Sequence, residues 1–423
     1  MATKELKIAV IGGGVAGTVA SYLLQRRHDV TLYEKNEYLG GHTHTIVIDH
    51  GLDTGTPVDT GFIVYNDRTY PLFTTFLSQL NIAVRKTEMS FSYTNRQTGL
   101  QYASRNMDSL FAQRQNVFRP AHWKLLADII RFNRTTLRLL RTGKLQGLSL
   151  GEYVAREGFK ENLIENYLVP MAAAIWSTPD LKMMEFPAES FFRFFENHGL
   201  LSVTDQPQWY YVHGGSHSYI QAFLNIFRGT VRLNHSVAMV RREHAGVSIF
   251  LSNRAEKTFD RVVIATHADE AFSMLSDPSD EETRLLSPWR YAQNHTVLHT
   301  DISLLPPNRR AWASWNYQTA KGIGAESPVT VTYDMNRLQK LTAQNHYCVT
   351  LNPPNPIPDE HIIREIDYHH PMYTFETMAT QEDLASLNGQ RNTYFCGSYF
   401  GYGFHEDAVR SAVRVAEQFG ITL

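Results

Sequence analysis

Apolar and polar residues are patterned most legibly in the first fifty positions. Lys7 to Ile11 is a short β-branched run that predicts a strand, and it stops at Gly12-Gly13-Gly14-Val15-Ala16-Gly17. Thr18 to Gln25 then repeats apolar residues at helical spacing, and Val30 to Tyr33 predicts a second strand ending at Glu34. Further along, Trp123 to Lys144 predicts a long amphipathic helix on which Arg131, Arg134, Arg138 and Arg141 share one face. Val231 to Arg241, Val247 to Ser252 and Arg261 to Thr266 predict successive strands that belong with the first unit. Near the end, Thr393 to Cys396 predicts a strand and Gly397 to Gly403 a glycine and aromatic loop. His405 to Phe419 follows as an amphipathic helix whose acidic first turn suits its positive end. No repeat, low-complexity segment or Pro/Ser-rich linker separates these elements, so the domains are expected to interleave.

Strand, glycine turn, helix, strand and acid make the opening βαβ unit of a dinucleotide-binding fold. Gly12 serves the tight turn, Gly14 lets the backbone approach a pyrophosphate, and Gly17 lets helix and strand pack closely. The helix amino end then faces the phosphates, and Glu34, 22 residues beyond Gly12, can accept hydrogen bonds from a ribose diol. A second glycine-rich segment, Gly322 to Ser327, lacks the third glycine and follows Lys321 instead of an apolar strand, so it reads as a loop. One fingerprint points to one tightly held cofactor and away from a reductase that binds two dinucleotides.

Length and composition narrow the class. With 423 residues the chain exceeds a single ordinary domain, and its 19% charged residues fall below the roughly 25% of an average globular protein. A formal charge of -2 provides no global field for nucleic acid. Cys348 and Cys396 are too few for a disulfide framework or a cysteine-based zinc site and suit a reducing cytoplasm. Met1 to Leu6 is polar and the next apolar run is cut by glycines, so no signal peptide is expected. Leu168 to Trp176 contains Pro170 and is far shorter than the roughly 18 residues that span a bilayer. Aromatic residues reach 12% and cluster at Phe191 to Phe195, Trp209 to Tyr211 and Tyr399 to Phe404, as core or as the walls of an apolar site.

Gly12-x-Gly14-x-x-Gly17, Glu34, Gly40-Gly41, the segment Val58-Asp59-Thr60-Gly61-Phe62, the Val263-Ile264-Ala265-Thr266 strand end and the closing Tyr394-Phe395-Cys396-Gly397 together resemble the flavin-containing amine oxidase superfamily. The ending Gly401-Tyr402-Gly403-Phe404-His405-Glu406-Asp407 is similar to a bacterial FAD-binding branch associated with methyltransferases like cyclopropane-fatty-acid synthase and with modified membrane acyl chains. The resemblance implies an α/β fold with an α+β second domain. A Rossmann-like FAD domain would be built from residues 1–75, 205–275 and 385–423, interleaved with a substrate domain from 76–204 and 276–384. It implies FAD held by Gly12, Gly14, Ala16, Gly17, Glu34, Lys35, Gly40, Gly41, His42 and Thr43, with Gly61 and Phe62 near the isoalloxazine and Val237 at the adenine. Gly397 and the helix start at His405 and Glu406 would face the flavin pyrimidine edge. Many relatives have an arginine after the double glycine and a carboxylate after the C-terminal glycine; His42 and Ser398 stand there, which weakens amine oxidation without touching FAD.

Flavin accepts the hydride, so few side chains are essential. His42, His295, His405 and Glu406 are the candidates for acid/base or flavin-tuning roles, with Tyr399 and Tyr402 as walls of the substrate site. Three functions remain open. One is oxidation, desaturation or isomerisation of a largely apolar substrate such as a lipid acyl chain, with peripheral membrane contact at the inner face and a lipid-modifying methyltransferase as partner. The second is an amine oxidase using molecular oxygen, and the third a non-catalytic FAD-bound scaffold. No metal site is expected. His295 and His299 lie on a predicted strand, where residues four apart are separated by roughly 13 Å, and His213 and His217 bracket a glycine turn. Gly214-x-Ser216-x-Ser218 lacks the final glycine of a hydrolase elbow.

Overall fold

The computed structural model describes residues 5–176, 184–202, 206–319 and 329–423, which leaves the Gly322 to Ser327 segment outside the described residues. The β-branched runs near the amino terminus form β1 (Lys7–Ile11) and β2 (Asp29–Tyr33), joined by helix α1 (Val15–Leu24). The two strands pair in parallel, Ile8 opposite Val30 and Val10 opposite Leu32, because their side chains are buried on both faces. With β10 (Thr230–Arg232), β14 (Arg261–Ile264) and β20 (Thr393–Phe395) they make a parallel sheet of order β10-β2-β1-β14-β20. Helix α2 (Pro71–Gln79) and the last helix, here α6 (His405–Gln418), pack beside α1 around one apolar core that includes Val19, Leu23, Phe73, Val409 and Ala412.

The run Val231 to Arg241, expected as one strand, is two. β10 ends at Arg232, Asn234 turns with φ of 56°, and β11 (Val237–Glu243) leaves the parallel sheet for an antiparallel one with β12 (Gly246–Leu251) and β13 (Glu256–Phe259). The apolar positions Val231, Leu233, Val237 and Val240 read as one strand, but the left-handed turn at Asn234, in the polar Asn234-His235-Ser236 stretch, redirects it. Arg242 fastens this sheet to its neighbours. Its guanidinium is 1% exposed and bonds both oxygens of Glu282 at 2.7 and 3.0 Å and the Asp277 carboxylate at 2.8 Å.

A second large sheet has the order β19-β15-β18-β17-β16-β7-β8, built from β7 (Phe91–Asn95), β8 (Gln101–Ala103), β15 (Tyr291–His299), β16 (Trp315–Thr319), β17 (Thr330–Asp334), β18 (Cys348–Leu351) and β19 (Ile362–Pro371). Its pairs are antiparallel except β16 with β7. The expected long helix is present as α3 (Pro120–Arg141), starting at a proline that needs no hydrogen-bond partner there. Its inner face buries Leu125, Phe132, Leu139 and Leu140 against α4 (Ala188–Asn197) and its aromatic residues. The Leu168 to Trp176 run ends in a short buried helix, Val169–Trp176. A small ribbon of β5 (Tyr65–Asn66), β9 (Trp209–Val212) and β6 (Val84–Thr87) and a hairpin of β3 (Thr45–Val47) and β4 (Pro57–Asp59) complete the sheets. Helix α5 (His217–Ile226) follows the ribbon.

The Arg242 knot yields a direct expectation. Arg242→Ala leaves the buried Glu282 carboxylate unpaired, which costs roughly 3–5 kcal/mol. Equilibrium denaturation should show a loss of that size; a loss below about 1 kcal/mol would mean that the pair does not hold the β11 sheet in place.

Candidate functional site

Five parallel strands end together where α1 begins, and the glycine turn is shaped by what surrounds it. Gly12 has φ of 102°, and a Cβ there would sit 2.7 Å from the Ala265 carbonyl oxygen. A Cβ on Gly17 would overlap the Gly12 carbonyl oxygen, so only glycine allows helix and strand to approach this closely. Gly14 is different: its Cβ position meets no protein atom within 4 Å. The amino end of α1 therefore opens onto free space where a phosphate can approach the backbone. Glu34, buried, takes the Gly13 N–H at 2.7 Å and the Asn36 N–H at 2.8 Å, which fixes its carboxylate beside the turn. Val237 starts β11 just after His235, whose N–H bonds the Glu34 carbonyl.

Gly40 bridges to Gly14, and Gly41 lies 3.4 Å from its Cα at the position of an added Cβ. This brings the Gly40-Gly41-His42-Thr43 loop alongside the cradle. Thr43 Oγ1 bonds the Tyr219 hydroxyl and, at 3.0 Å, His405 Nε2, while the His405 ring stacks on Phe62 at 3.6 Å between centroids. The contact latches α6, α5 and the glycine loops together. His42 is half-buried and stacks on Tyr368 at 4.8 Å, with His370 at 5.3 Å and His267 at 6.4 Å. Burial first, and the neighbouring imidazoles second, hold His42 well below the usual histidine range, so it is neutral. Its Nε2 is buried with no hydrogen-bond partner.

Beyond the loop the surroundings turn aromatic. Tyr373 and Tyr399 each lie 5.7 Å from Trp289, and the hydroxyls of both tyrosines are buried without a partner. Phe194 of α4 stacks on Phe404 at 4.7 Å and meets Tyr402 at 5.8 Å. The nearby carboxylates are committed: Asp407 accepts the N–H groups of Tyr402 and Phe404 and pairs with Arg410, and Glu406 caps α2 through the N–H groups of Leu72 and Phe73. A cradle that a Cβ would narrow, an anchored acid and three orphaned buried polar atoms fit a dinucleotide lying from Glu34 towards Tyr399.

The profile of the flavin containing amine oxidoreductase family matches residues 16–300. The chain belongs to that family. No curated protein matches it in sequence. Among solved structures it is similar to a CLA-producing fatty acid isomerase from P. acnes, with 17% identity over 99% of both chains and a TM-score of 0.69. It is also similar to putrescine oxidase bound to putrescine, with 13% identity over 98% of this chain and 99% of that one and a TM-score of 0.72. A third is cyclohexylamine oxidase from Brevibacterium oxydans IH-35A, with 14% identity over 99% and 100% and a TM-score of 0.68. These likenesses show the shared fold. As a member of this family the protein is a FAD-dependent oxidoreductase.

Several residues singled out from the sequence sit elsewhere or do something else in this flavoprotein. His295 is corrected: it lies opposite Asp367 on the face of the β15–β19 pair away from Tyr368 and His370, is half exposed, and faces Glu365 at 3.6 Å and Asp367 at 3.5 Å. Alternation along the strand decides this, since Asn294 and not His295 shares the face of Tyr368. Lys35 turns outward to Glu270 at 2.6 Å, so its ammonium is not at the cradle. The side chains of His405 and Glu406 point into the protein, leaving only their backbone at the helix amino end. Tyr399 is 1% exposed and belongs to the aromatic core as much as to any pocket. Ser216 is explained by Asp59, which accepts its N–H and hydroxyl at 2.8 Å each. Among the described residues no three His, Cys, Asp or Glu side chains converge as metal ligands. Sequence reading passed over Tyr368, His370, Tyr373, Trp289 and Tyr219. The run Tyr368-His369-His370-Pro371-Met372-Tyr373 was the available signal for three of them.

Burial pushes His44 and His370 down to about 4 and His405 down to about 3. In the unfolded chain these histidines titrate at their ordinary value, so the stability they contribute is complete above that value and is lost as pH falls through the folded one. Asp59, pushed up to about 7 by burial, opposes them, as do Glu406 and Asp407, which burial also raises, while His198 and His299, pushed down to about 4, act with them. Between pH 7 and 5 His370 and His405 should each cost on the order of 1–2 kcal/mol of stability, and the more exposed His44 less, because solvent screens it. Thermal melts should therefore fall over that interval and less steeply in His370→Gln; a flat profile would contradict the neutral state of these histidines.

Proposed function

We propose that this flavoprotein oxidises, desaturates or isomerises a largely apolar substrate, best fitted by a lipid acyl chain. The observation that carries the reading is the aromatic wall of Phe194, Tyr402, Phe404, Tyr373 and Trp289, beside which the carboxylates of Glu406 and Asp407 are already committed to backbone and arginine partners. An alkyl chain needs no ion pair, because each buried CH₂ contributes about 0.8 kcal/mol. FAD, when bound, supplies a hydride acceptor at its ring N5. Gly12, Gly14, Ala16, Gly17, Gly40 and Gly41 would bring backbone to its pyrophosphate, Glu34 would take its ribose hydroxyls, Val237 would flank the adenine, and Gly61, Phe62 and Gly397 would border the ring. His42 would offer an uncharged Nε2 as hydrogen-bond partner, Thr43 would hold His405 in place, and the aromatic side chains would exclude water.

The domain division in this reading gives residues 1–75, 205–275 and 385–423 to FAD and 76–204 and 276–384 to the substrate. The parallel sheet, whose strands all lie in the first set, supports it, while the β5-β9-β6 ribbon joins the two sets. The ending Gly401 to Asp407 supports a place beside a lipid-modifying methyltransferase at the cytoplasmic face of a membrane. No helix among the described residues is long and apolar enough to cross a membrane, so such a substrate would be met from its surface. Amine oxidation with molecular oxygen is the second reading, supported by the likeness of the fold to putrescine oxidase and cyclohexylamine oxidase.

FAD-loaded protein incubated with liposomes carrying unsaturated or methyl-branched chains, and separately with a panel of mono- and polyamines, separates the readings. Mass spectrometry should find altered lipid and unchanged amines. Amine turnover with no altered lipid would reject the acyl-chain reading, and no turnover of either class would favour the scaffold.

A further inference from the structure

The most unusual surface of the protein lies away from the candidate site. Phe118 is 87% exposed, Met107 62%, Trp123 49% and Val117 42%. They form one patch. The Trp123 indole N–H donates to the Val117 carbonyl at 2.9 Å, and its ring packs on Phe111, the residue that ends the one-turn helix Met107–Leu110. The indole is thus held in place at the protein surface.

The patch continues along α3. At roughly 100° per residue, Trp123, Ile130, Arg134 and Arg141 fall within about 40° of one line along the helix, with Arg138 about 60° round from Trp123. All are exposed, Ile130 at 46%. The surface therefore has apolar side chains at one end of a 22-residue helix and a row of cations along the rest. Residues 105–144 hold nine lysines and arginines against two acids, Asp108 and Asp128, in a chain whose net charge is -2. Of those acids, Asp108 is already paired with Arg114, and from outside this stretch Glu196 approaches Arg141 at 3.9 Å.

We infer that this face docks on an anionic lipid bilayer, with Phe118, Val117, Met107 and Trp123 entering the interface and α3 lying along it. Projecting aromatic and aliphatic side chains beside a cationic helix face match the apolar boundary and the anionic headgroups of such a surface. A second copy of the chain is a poorer occupant, because a two-fold contact would set this cationic row against itself. The inner face of α3 reaches the candidate site in two steps: Phe132 meets Phe192 of α4 at 5.6 Å, and Phe194 of the same helix stacks on Phe404. The inference extends the acyl-chain reading by naming where the chain is met, yet it stands on exposure and charge and can be tested without turnover.

The test is co-sedimentation of the FAD-loaded full-length protein with vesicles of phosphatidylcholine alone or mixed with phosphatidylglycerol, at low and high salt. Binding should require the anionic lipid and weaken with salt. Phe118→Asp should lower the vesicle partition coefficient about tenfold or more, and the double variant Arg134→Glu/Arg138→Glu should remove most of the salt-sensitive part, with both variants melting like the parent. Absence of binding to anionic vesicles, or equal binding by parent and Phe118→Asp, would overturn the inference. So would a dimer in sedimentation velocity that Phe118→Asp dissolves, since that would assign the patch to a second copy. Lipid turnover plays no part in the measurement, so a failed acyl-chain reading leaves its outcome unchanged.

Discussion

The approach of α1 to the end of β1 is the contact on which the other parts of the site depend. Gly17 lies against the Gly12 carbonyl with no room for a side chain, and Gly12 in turn lies against Ala265. That closeness aims the helix amino end at the space in front of Gly14, beyond the end of β1, which stands between β2 and β14. Glu34 at the end of β2 and Ala265 beyond β14 then reach the same turn from either side. The cradle is a consequence of packing geometry, and glycine is the one residue that satisfies it at Gly12 and Gly17.

Two buried polar knots tie distant segments to that cradle. Asp59 accepts from Thr45, Ser216 and Gln339, joining the β3–β4 hairpin, the start of α5 and the turn after Met335–Leu338. Thr43, Tyr219 and His405 make the second, between the double-glycine loop, α5 and α6. Both sit in low dielectric, where satisfied polar groups hold geometry firmly and unsatisfied ones cost free energy. This gives meaning to the contrast with His42, Tyr373 and Tyr399, whose buried atoms lack partners along the path from the loop to the aromatic wall.

The local parts of this arrangement were legible in the sequence because they rest on neighbouring residues. The β1–α1–β2 unit, Glu34, the last helix and the long basic helix all follow from periodicity and glycine spacing. What could not be read depends on contacts between remote segments. Asn234, in the polar stretch between Leu233 and Val237, sends β11 to a different sheet from β10. His295 looked like a candidate base until strand alternation placed it on the far face from Tyr368. Tyr219 carries no local signature, since its partner, Thr43, is distant in sequence. The aromatic runs divided as well: Phe191, Phe192 and Phe195 are core, and Phe194 alone reaches Phe404.

Gly14 isolates the central claim, because it is the glycine of the turn whose side-chain position is empty of protein and whose φ of -66° suits any residue. A valine there should leave the packing of α1 intact and fill the space that the backbone needs for a pyrophosphate. The decisive measurement is flavin absorbance per chain in the parent and in Gly14→Val, with circular dichroism as the folding control. The account predicts FAD at close to one per chain in the parent and less than about one tenth of that in a normally folded Gly14→Val. A folded Gly14→Val that retains the parent's full complement of FAD would contradict it.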